Sequence, residues 1–278
     1  MKNALDISNP PTGNVLIFSD LDGTLLDHHS YSPDAARPAL QALAERGWPL
    51  IFCSSKTFAE QLDLQRRLGL AAPFITENGS AVAVPNGHFA QMPTAAFERE
   101  GHLIFQLAHA DVAALRTELA HFQRIKGFSD VPDEVLALAT GLSGPALARA
   151  RQRWFTETLV TPLGSAQVEM LSQKLAPKNW VLSRGGRFHT VQSVQADKGR
   201  AMLWLADLFA RNAPRPPVLA AIGDSPNDRP MLAAADFPFL VQRHDGTWSD
   251  VNLPGLAKIE GIGPAGFEAA VRWLLGES

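Results

Sequence analysis

The chain has 278 residues, 46% hydrophobic and 19% charged, the make-up of a globular protein with one large or two medium domains. Its formal net charge of −3 gives no basic footprint for nucleic acid and no polybasic patch for a membrane surface. Cys53 is the only cysteine, which excludes an intrachain disulfide and fits a reducing compartment.

No apolar stretch resembling a signal peptide follows Met1, and no segment is long and apolar enough to span a bilayer. The cytoplasm is therefore the expected address, and residues 1–13 read as a mobile tail. The first strong element is Val15-Leu16-Ile17-Phe18, an unbroken apolar run suited to a parallel strand buried on both faces. A helix is expected next, with Ser32 as N-cap, Pro33 at the first helical position, Asp34 in the first turn and Gly47 as its stop. Pro38 falls inside that stretch and argues against one uninterrupted helix.

A second apolar run, Leu50-Ile51-Phe52-Cys53, precedes a helix from Thr57 to Leu68 closed by Gly69. Phe74-Ile75 reads as a short strand, and Asn78-Gly79 as a turn across which Ala81-Val82-Ala83-Val84 pairs back. From Pro85 to Gln195 short strand-like pieces mix with Ala-rich helical stretches, Ala110–Phe122 and Pro145–Trp154 among them. The strand–helix alternation returns with the helix Lys198–Phe209 and the strand Val218–Ile222. The expected fold class is α/β: a Rossmann-like parallel-sheet core domain over 14–85 and 196–278, with an inserted α+β cap domain over 86–195.

The chemistry concentrates where strands end. In Ser19-Asp20-Leu21-Asp22-Gly23-Thr24 two carboxylates two residues apart project to one side of extended chain, and Gly23 permits a sharp turn. Ligands of open α/β sheets bind beyond the carboxyl ends of the strands. A second acidic group, Gly223-Asp224-Ser225-Pro226-Asn227-Asp228, follows another buried-type strand. Carboxylates gathered this way repel one another and a phosphate unless a hard divalent cation intervenes, Mg²⁺ foremost. Each loop taken alone is equally a turn rich in Asp and Asn.

These residues resemble the haloacid dehalogenase superfamily of phosphatases. The resemblance implies Asp20 as nucleophile, Asp22 as general acid and base, Ser54 as the hydroxyl on the phosphoryl group and Lys198 as the neutralising cation. It implies a Mg²⁺ held by Asp20, by the backbone carbonyl of Asp22, and by Asp224 and Asp228. Read without it, Ser54 is a helix N-cap and Lys198 a solvated first-turn lysine. Asp22 stands where ion-pumping members carry Thr, so rapid hydrolysis of an acyl phosphate is implied. The insertion between Ser54 and Lys198 resembles the subgroup whose α+β cap follows the third strand, and the implied partner is a small sugar phosphate.

Cys53-Ser54-Ser55-Lys56-Thr57, Glu77-Asn78-Gly79, Arg153–Thr158 and Gly185-Gly186-Arg187-Phe188-His189 are most similar to the mannosyl-3-phosphoglycerate phosphatase family. The substrate-binding residues implied are Ser55, Lys56, Arg153, Glu157, Gly186, Arg187, His189 and Asn227. Arg187 in its Gly-Gly loop suits a substrate carboxylate. Arg153 and Glu157, four apart on an expected helix face, are read either as a mutual ion pair or as sugar contacts. His189 is read either as a structural histidine or as a ligand. Residues 88–144 match no motif of that family, so glucosyl-3-phosphoglycerate or another sugar phosphate stays open as the substrate.

Overall fold

The computed structural model describes residues 9–93 and 97–277. The tail expected over 1–13 lies outside the described residues as far as residue 8. At its other end the Gly13 carbonyl accepts a bond from the Trp48 indole at 3.2 Å. The chain runs β1 (Val15–Ser19), α1 (Arg37–Arg46), β2 (Leu50–Phe52), α2 (Phe58–Leu68), β3 (Phe74–Thr76) and β4 (Ala81–Pro85). It continues through β5 (Phe97–Arg99), β6 (His102–Gln106), α3 (Val112–Ala120), α4 (Asp133–Thr140), α5 (Gly144–Arg151), β7 (Glu157–Leu159), α6 (Ser165–Leu175), β8 (Trp180–Gly185) and β9 (Phe188–Ser193). It closes with α7 (Lys198–Arg211), β10 (Val218–Gly223), α8 (Arg229–Ala234), β11 (Phe237–Gln242), β12 (Ala257–Ile262) and α9 (Pro264–Leu275).

A parallel sheet in the order β12-β11-β10-β1-β2 forms the centre. Alternation along β1 explains its unbroken apolar sequence. Val15 and Ile17 pack with Leu43, Phe267 and Leu274 on one face, while Leu16 and Phe18 pack with Met202, Leu205 and Met231 on the other. A strand covered by helices on both sides has no polar face to show in its sequence. β3 continues the sheet beyond β2 through a parallel bridge from Cys53 to Ile75. It then turns back antiparallel into β4, across a turn with left-handed Asn78 (φ 59°) and Gly79 (φ 88°).

The helix ends follow local chemistry. Thr57 Oγ1 accepts from the Glu60 amide at 3.1 Å while the Glu60 carboxylate accepts from the Thr57 amide at 2.9 Å, a reciprocal cap on α2. Such a cap contributes about 1 kcal/mol. Gly47 and Gly69 close α1 and α2 in the left-handed conformation. The expected start of α1 is displaced: a single 3-10 turn occupies Asp34–Ala36, with Ser32 Oγ accepting from the Asp34 amide. The α-helix begins only at Arg37, so Pro38 falls in its first turn, where a missing amide hydrogen costs nothing.

Within 86–195, the β5–β6 hairpin bonds to β4 and makes the sheet β3-β4-β6-β5. The separate sheet β7-β9-β8 carries α3 and α6 on one face, with Leu115, Leu171, Leu159 and Val191 as its core. α4 and α5 pack around Leu136, Leu147 and Phe128. The helix expected to reach Trp154 ends at Arg151, and Glu157 lies in β7. Arg153 and Glu157 therefore share no helix face. Among the described residues no helix is long and apolar enough to cross a membrane.

Candidate active site

The carboxyl ends of β1 and β10 bring the two acidic loops together. Asp20 leaves β1 with its amide bonded to the Ile222 carbonyl of β10 at 3.0 Å. Gly23 makes the following turn at φ +81°, and a β-carbon there would stand 3.0 Å from an Asp224 carboxylate oxygen, so only glycine fits without strain. Thr24 Oγ1 donates to Asp224 at 3.2 Å, and Ser249 donates to the Asp224 carbonyl at 2.6 Å.

Lys198, the first residue of α7, is buried and donates to Asp20 Oδ1 at 2.7 Å and to Asp228 Oδ1 at 2.6 Å. Its helix approaches closely because residue 199 is glycine: a β-carbon there would lie 2.3 Å from the Pro230 carbonyl oxygen. The solvated-lysine reading is thereby overturned. Burial works against the Lys198 charge, but the Asp20 and Asp228 carboxylates outweigh it and hold the ammonium above its ordinary range.

Among the described residues, Asp20, Asp224 and Asp228 each place a carboxylate oxygen within 4.8 Å of the others. Three buried carboxylates face one ammonium. Burial pushes the Asp20 carboxyl up, Lys198 pulls it down and the Asp228 and Asp22 charges raise it again, leaving it at about 7. Burial and the charges of Asp228 and Asp20 push Asp224 up as well. An all-oxygen site short of positive charge fits a hard divalent cation. Both Asp228 oxygens are already engaged, one by Lys198 and the other by the amides of Asp224 and Ser225 at 3.1 Å. Asp228 thus shapes the loop and orients Lys198, and Asp20 and Asp224 carry the freer oxygens.

The Asp22 carboxylate lies outside this cluster. It pairs with Lys56 at 2.9 Å and, with Asp20, lines a cleft beneath the β7-β9-β8 sheet. Burial opposes the Lys56 charge, but Asp22 and Glu60 more than offset it and raise its pKa. Ser54 is buried and accepts from the Lys56 amide at 3.2 Å, while Thr57 is the true cap of α2, which corrects the alternative reading of Ser54. Ser55, Arg153, Gly186, Arg187 and Asn227 all line the cleft. Arg187 sits at its rim, its guanidinium bonded to the Ala139 and Thr140 carbonyls at 2.7 and 3.2 Å and near Tyr31 Oη at 3.5 Å.

Two expected substrate residues point elsewhere. In β9, Phe188 and Thr190 face the cleft, so alternation turns His189 to the other face, beside Arg184 and Glu169. Burial, then Arg184, lowers the His189 pKa. Glu157 is likewise turned away, bonded to Arg116 at 2.6 Å and to Ser129. In its place Thr158 faces the cleft, its hydroxyl 3.1 Å from that of Thr190. Tyr31, Glu60 and Thr140 also line the cleft and were not legible from motifs. Only the strand register, which pairs Thr158 with Thr190, exposes the threonine pair.

A family model described as haloacid dehalogenase-like hydrolase matches residues 17–116. A glucosyl-3-phosphoglycerate/mannosyl-3-phosphoglycerate phosphatase of Methanococcoides burtonii is 35% identical over 269 residues, 95% of this chain and 98% of the relative. A phosphatase of the same name from Persephonella marina is 33% identical over 266 residues, with the same coverage. A solved haloalkanoate-superfamily phosphatase of Bacteroides thetaiotaomicron shares the fold at a TM-score of 0.64, with 17% identity over 97% of this chain and 98% of that one. The chain belongs to the haloacid dehalogenase-like hydrolases. Within them it is a phosphatase, similar to those of the glycosyl-3-phosphoglycerates.

Proposed function

We propose that the phosphatase is Mg²⁺-dependent, that it works through a phosphorylated Asp20, and that its substrate is mannosyl-3-phosphoglycerate, with glucosyl-3-phosphoglycerate as the alternative. The observation that carries this reading is Lys198 set between Asp20 and Asp228, with Asp224 close by and the cluster short of positive charge. In this reading residues 86–195 act as the cap. Both relatives are named for the glucosyl and the mannosyl ester, which supports either sugar.

Phosphoryl transfer spreads charge over three oxygens, so catalysis rests on positioning and on fixed positive charge. An Asp20 oxygen bonds to phosphorus as the ester P–O bond breaks, and Asp22 gives its proton to the leaving alkoxide. Asp22 then takes a proton from a water whose oxygen attacks phosphorus. The acyl phosphate P–O bond breaks, returning the Asp20 carboxylate and inorganic phosphate. Lys198 balances charge on Asp20 and the phosphoryl group, and the Ser54 hydroxyl binds a phosphoryl oxygen. Asp20, Asp224, the Asp22 carbonyl and any oxygen lone pair Asp228 has left would hold the Mg²⁺, which would supply the remaining positive charge. Lys56, Arg153 and Arg187 surround the glycerate carboxylate, and the Thr158–Thr190 pair faces the sugar.

Steady-state kinetics on both glycosyl-3-phosphoglycerates, simple hexose phosphates and p-nitrophenyl phosphate test the reading. The expected result is the highest kcat/KM on a glycosyl-3-phosphoglycerate, with activity lost to a chelator and restored by Mg²⁺. Equal or better values on hexose phosphates would remove the substrate assignment. Activity that survives chelation would remove the cation.

A further inference from the structure

Glu77 has no part in the chemistry above, yet its side chain is fully buried and engages both carboxylate oxygens with one strip of the segment 86–195. Its carboxylate accepts from the Trp154 amide at 2.8 Å, the Phe155 amide at 3.0 Å and the Thr156 hydroxyl at 2.7 Å. That strip joins α5 to β7, so Glu77, on a loop of the central fold, fixes how the chain enters the β7-β9-β8 sheet. Its own backbone is held in the left-handed region at φ 49°, a conformation that a residue with a side chain rarely adopts. The same turn supports the catalytic loop: the Glu77 amide donates to the Lys56 carbonyl at 3.1 Å and the Asn78 amide to the Ser54 carbonyl at 2.9 Å. Asn78 reaches the other end of the insertion, donating to Gln192 of β9 at 2.8 Å.

The residue placed by this strip is Arg153. It is buried, lines the cleft and donates through Nη1 to the Ser55 carbonyl at 3.2 Å and to Thr156 Oγ1 at 3.0 Å. Its Nε is buried with no hydrogen-bond partner among the described residues. Thr156 thus links Glu77 to Arg153 through one hydroxyl. A buried guanidinium held by one neutral carbonyl and one hydroxyl keeps its charge available to an anion, and Glu77 supplies the balancing negative charge from behind the strip.

We propose that Glu77 is a positioning residue for substrate specificity, holding residues 154–156 so that Arg153 presents its charge to the non-transferred anionic part of the substrate. The role rests on the glycosyl-phosphoglycerate reading, whose carboxylate is that second anion.

Three variants test it: Glu77→Gln, which denies one of the three donors its acceptor; Thr156→Val, a milder break in the same link; and Arg153→Met. The measurement is kcat/KM on mannosyl-3-phosphoglycerate and on p-nitrophenyl phosphate, which has no second anion. Glu77→Gln is expected to lower the ratio of the two values about tenfold through KM for the glycosyl ester, and Thr156→Val to lower it less, in the same sense. Adding Glu77→Gln to Arg153→Met is expected to cause no further loss on the glycosyl ester. If Glu77→Gln does not fold, Thr156→Val alone decides. Equal losses on both esters, or losses that multiply in the double variant, would overturn the positioning role. A wild-type enzyme with no preference for the glycosyl ester would instead overturn the substrate reading, and this proposal with it.

Discussion

The Asp22 carboxylate meets the Lys56 ammonium at 2.9 Å, on the cleft side of Asp20 and away from the acidic cluster. The pair lets the first loop divide its labour. Asp20 belongs to the buried carboxylate cluster, while Asp22, the next residue but one, is held by an ammonium beside the cleft. Lys56→Met is expected to lower kcat on glycosyl-3-phosphoglycerate about tenfold to a hundredfold by freeing Asp22 from its orientation. Lys56→Arg should retain more activity. Steady-state kinetics of the two variants side by side check this, and equal losses would argue against an orienting role.

Asp20→Asn should lower turnover by about 10⁴-fold or more, because the amide cannot form the phosphorylated intermediate. The same change should raise the melting temperature of the metal-free protein. Asp20 sits among like charges in a buried site that pushes its carboxyl up to about 7, and the neutral amide relieves that cost. A calorimetric scan in chelator checks the second half independently of activity.

The pH dependence of stability has a defined sign. The Asp20 and Asp224 pKa values are raised in the folded protein above the ordinary carboxyl value of 3.8. The stabilising contribution of Asp20 is complete below 3.8 and is lost as the pH rises through about 7, and that of Asp224 changes in the same direction. Metal-free protein should therefore lose stability between pH 5 and pH 8 on account of these groups. Cation binding needs both carboxylates ionised and displaces protons below neutral pH. The rise in melting temperature caused by a fixed excess of Mg²⁺ should thus be larger at pH 8 than at pH 6, which thermal scans with Mg²⁺ and with chelator measure directly.

Glu157→Gln is expected to destabilise the protein by about 2 kcal/mol, because Arg116 and Ser129 lose a buried charged acceptor. Its KM for the glycosyl ester should stay within about twofold of wild type, since Glu157 faces α3 and not the cleft. Denaturant titration and kinetics on the same preparation separate the two effects.

Much of the central fold was legible because its signals are local. Apolar runs at Val15 and Val218, glycine stops at Gly47 and Gly69 and acidic loops after strands mark a parallel sheet and its functional edge without reference to the rest of the chain. Asp20 and Asp224 stand out by their place after strands, whereas Ser54 and Lys198 drew notice only through the resemblance to the haloacid dehalogenase superfamily. The lining contributed by the insertion is another matter. Whether Glu157 or Thr158 faces the substrate depends on how β7 registers against β9, and a one-residue change of parity exchanges the two sets. That parity is why His189 and Glu157 are turned away while Thr158 and Thr190 look into the cleft. Arg153 reaches the cleft from a turn after α5, linked through the Thr156 hydroxyl to Glu77, which lies 79 residues before Thr156 in the chain. No pattern of spacing encodes that contact.

The β8–β9 hairpin rests on the acidic loop so closely that a β-carbon on Gly185 would fall 2.7 Å from the Asn227 side-chain amide. Any side chain at 185 would push the Asn227 amide aside, so the fit of the hairpin on the loop that carries Asp224 and Asp228 depends on that glycine.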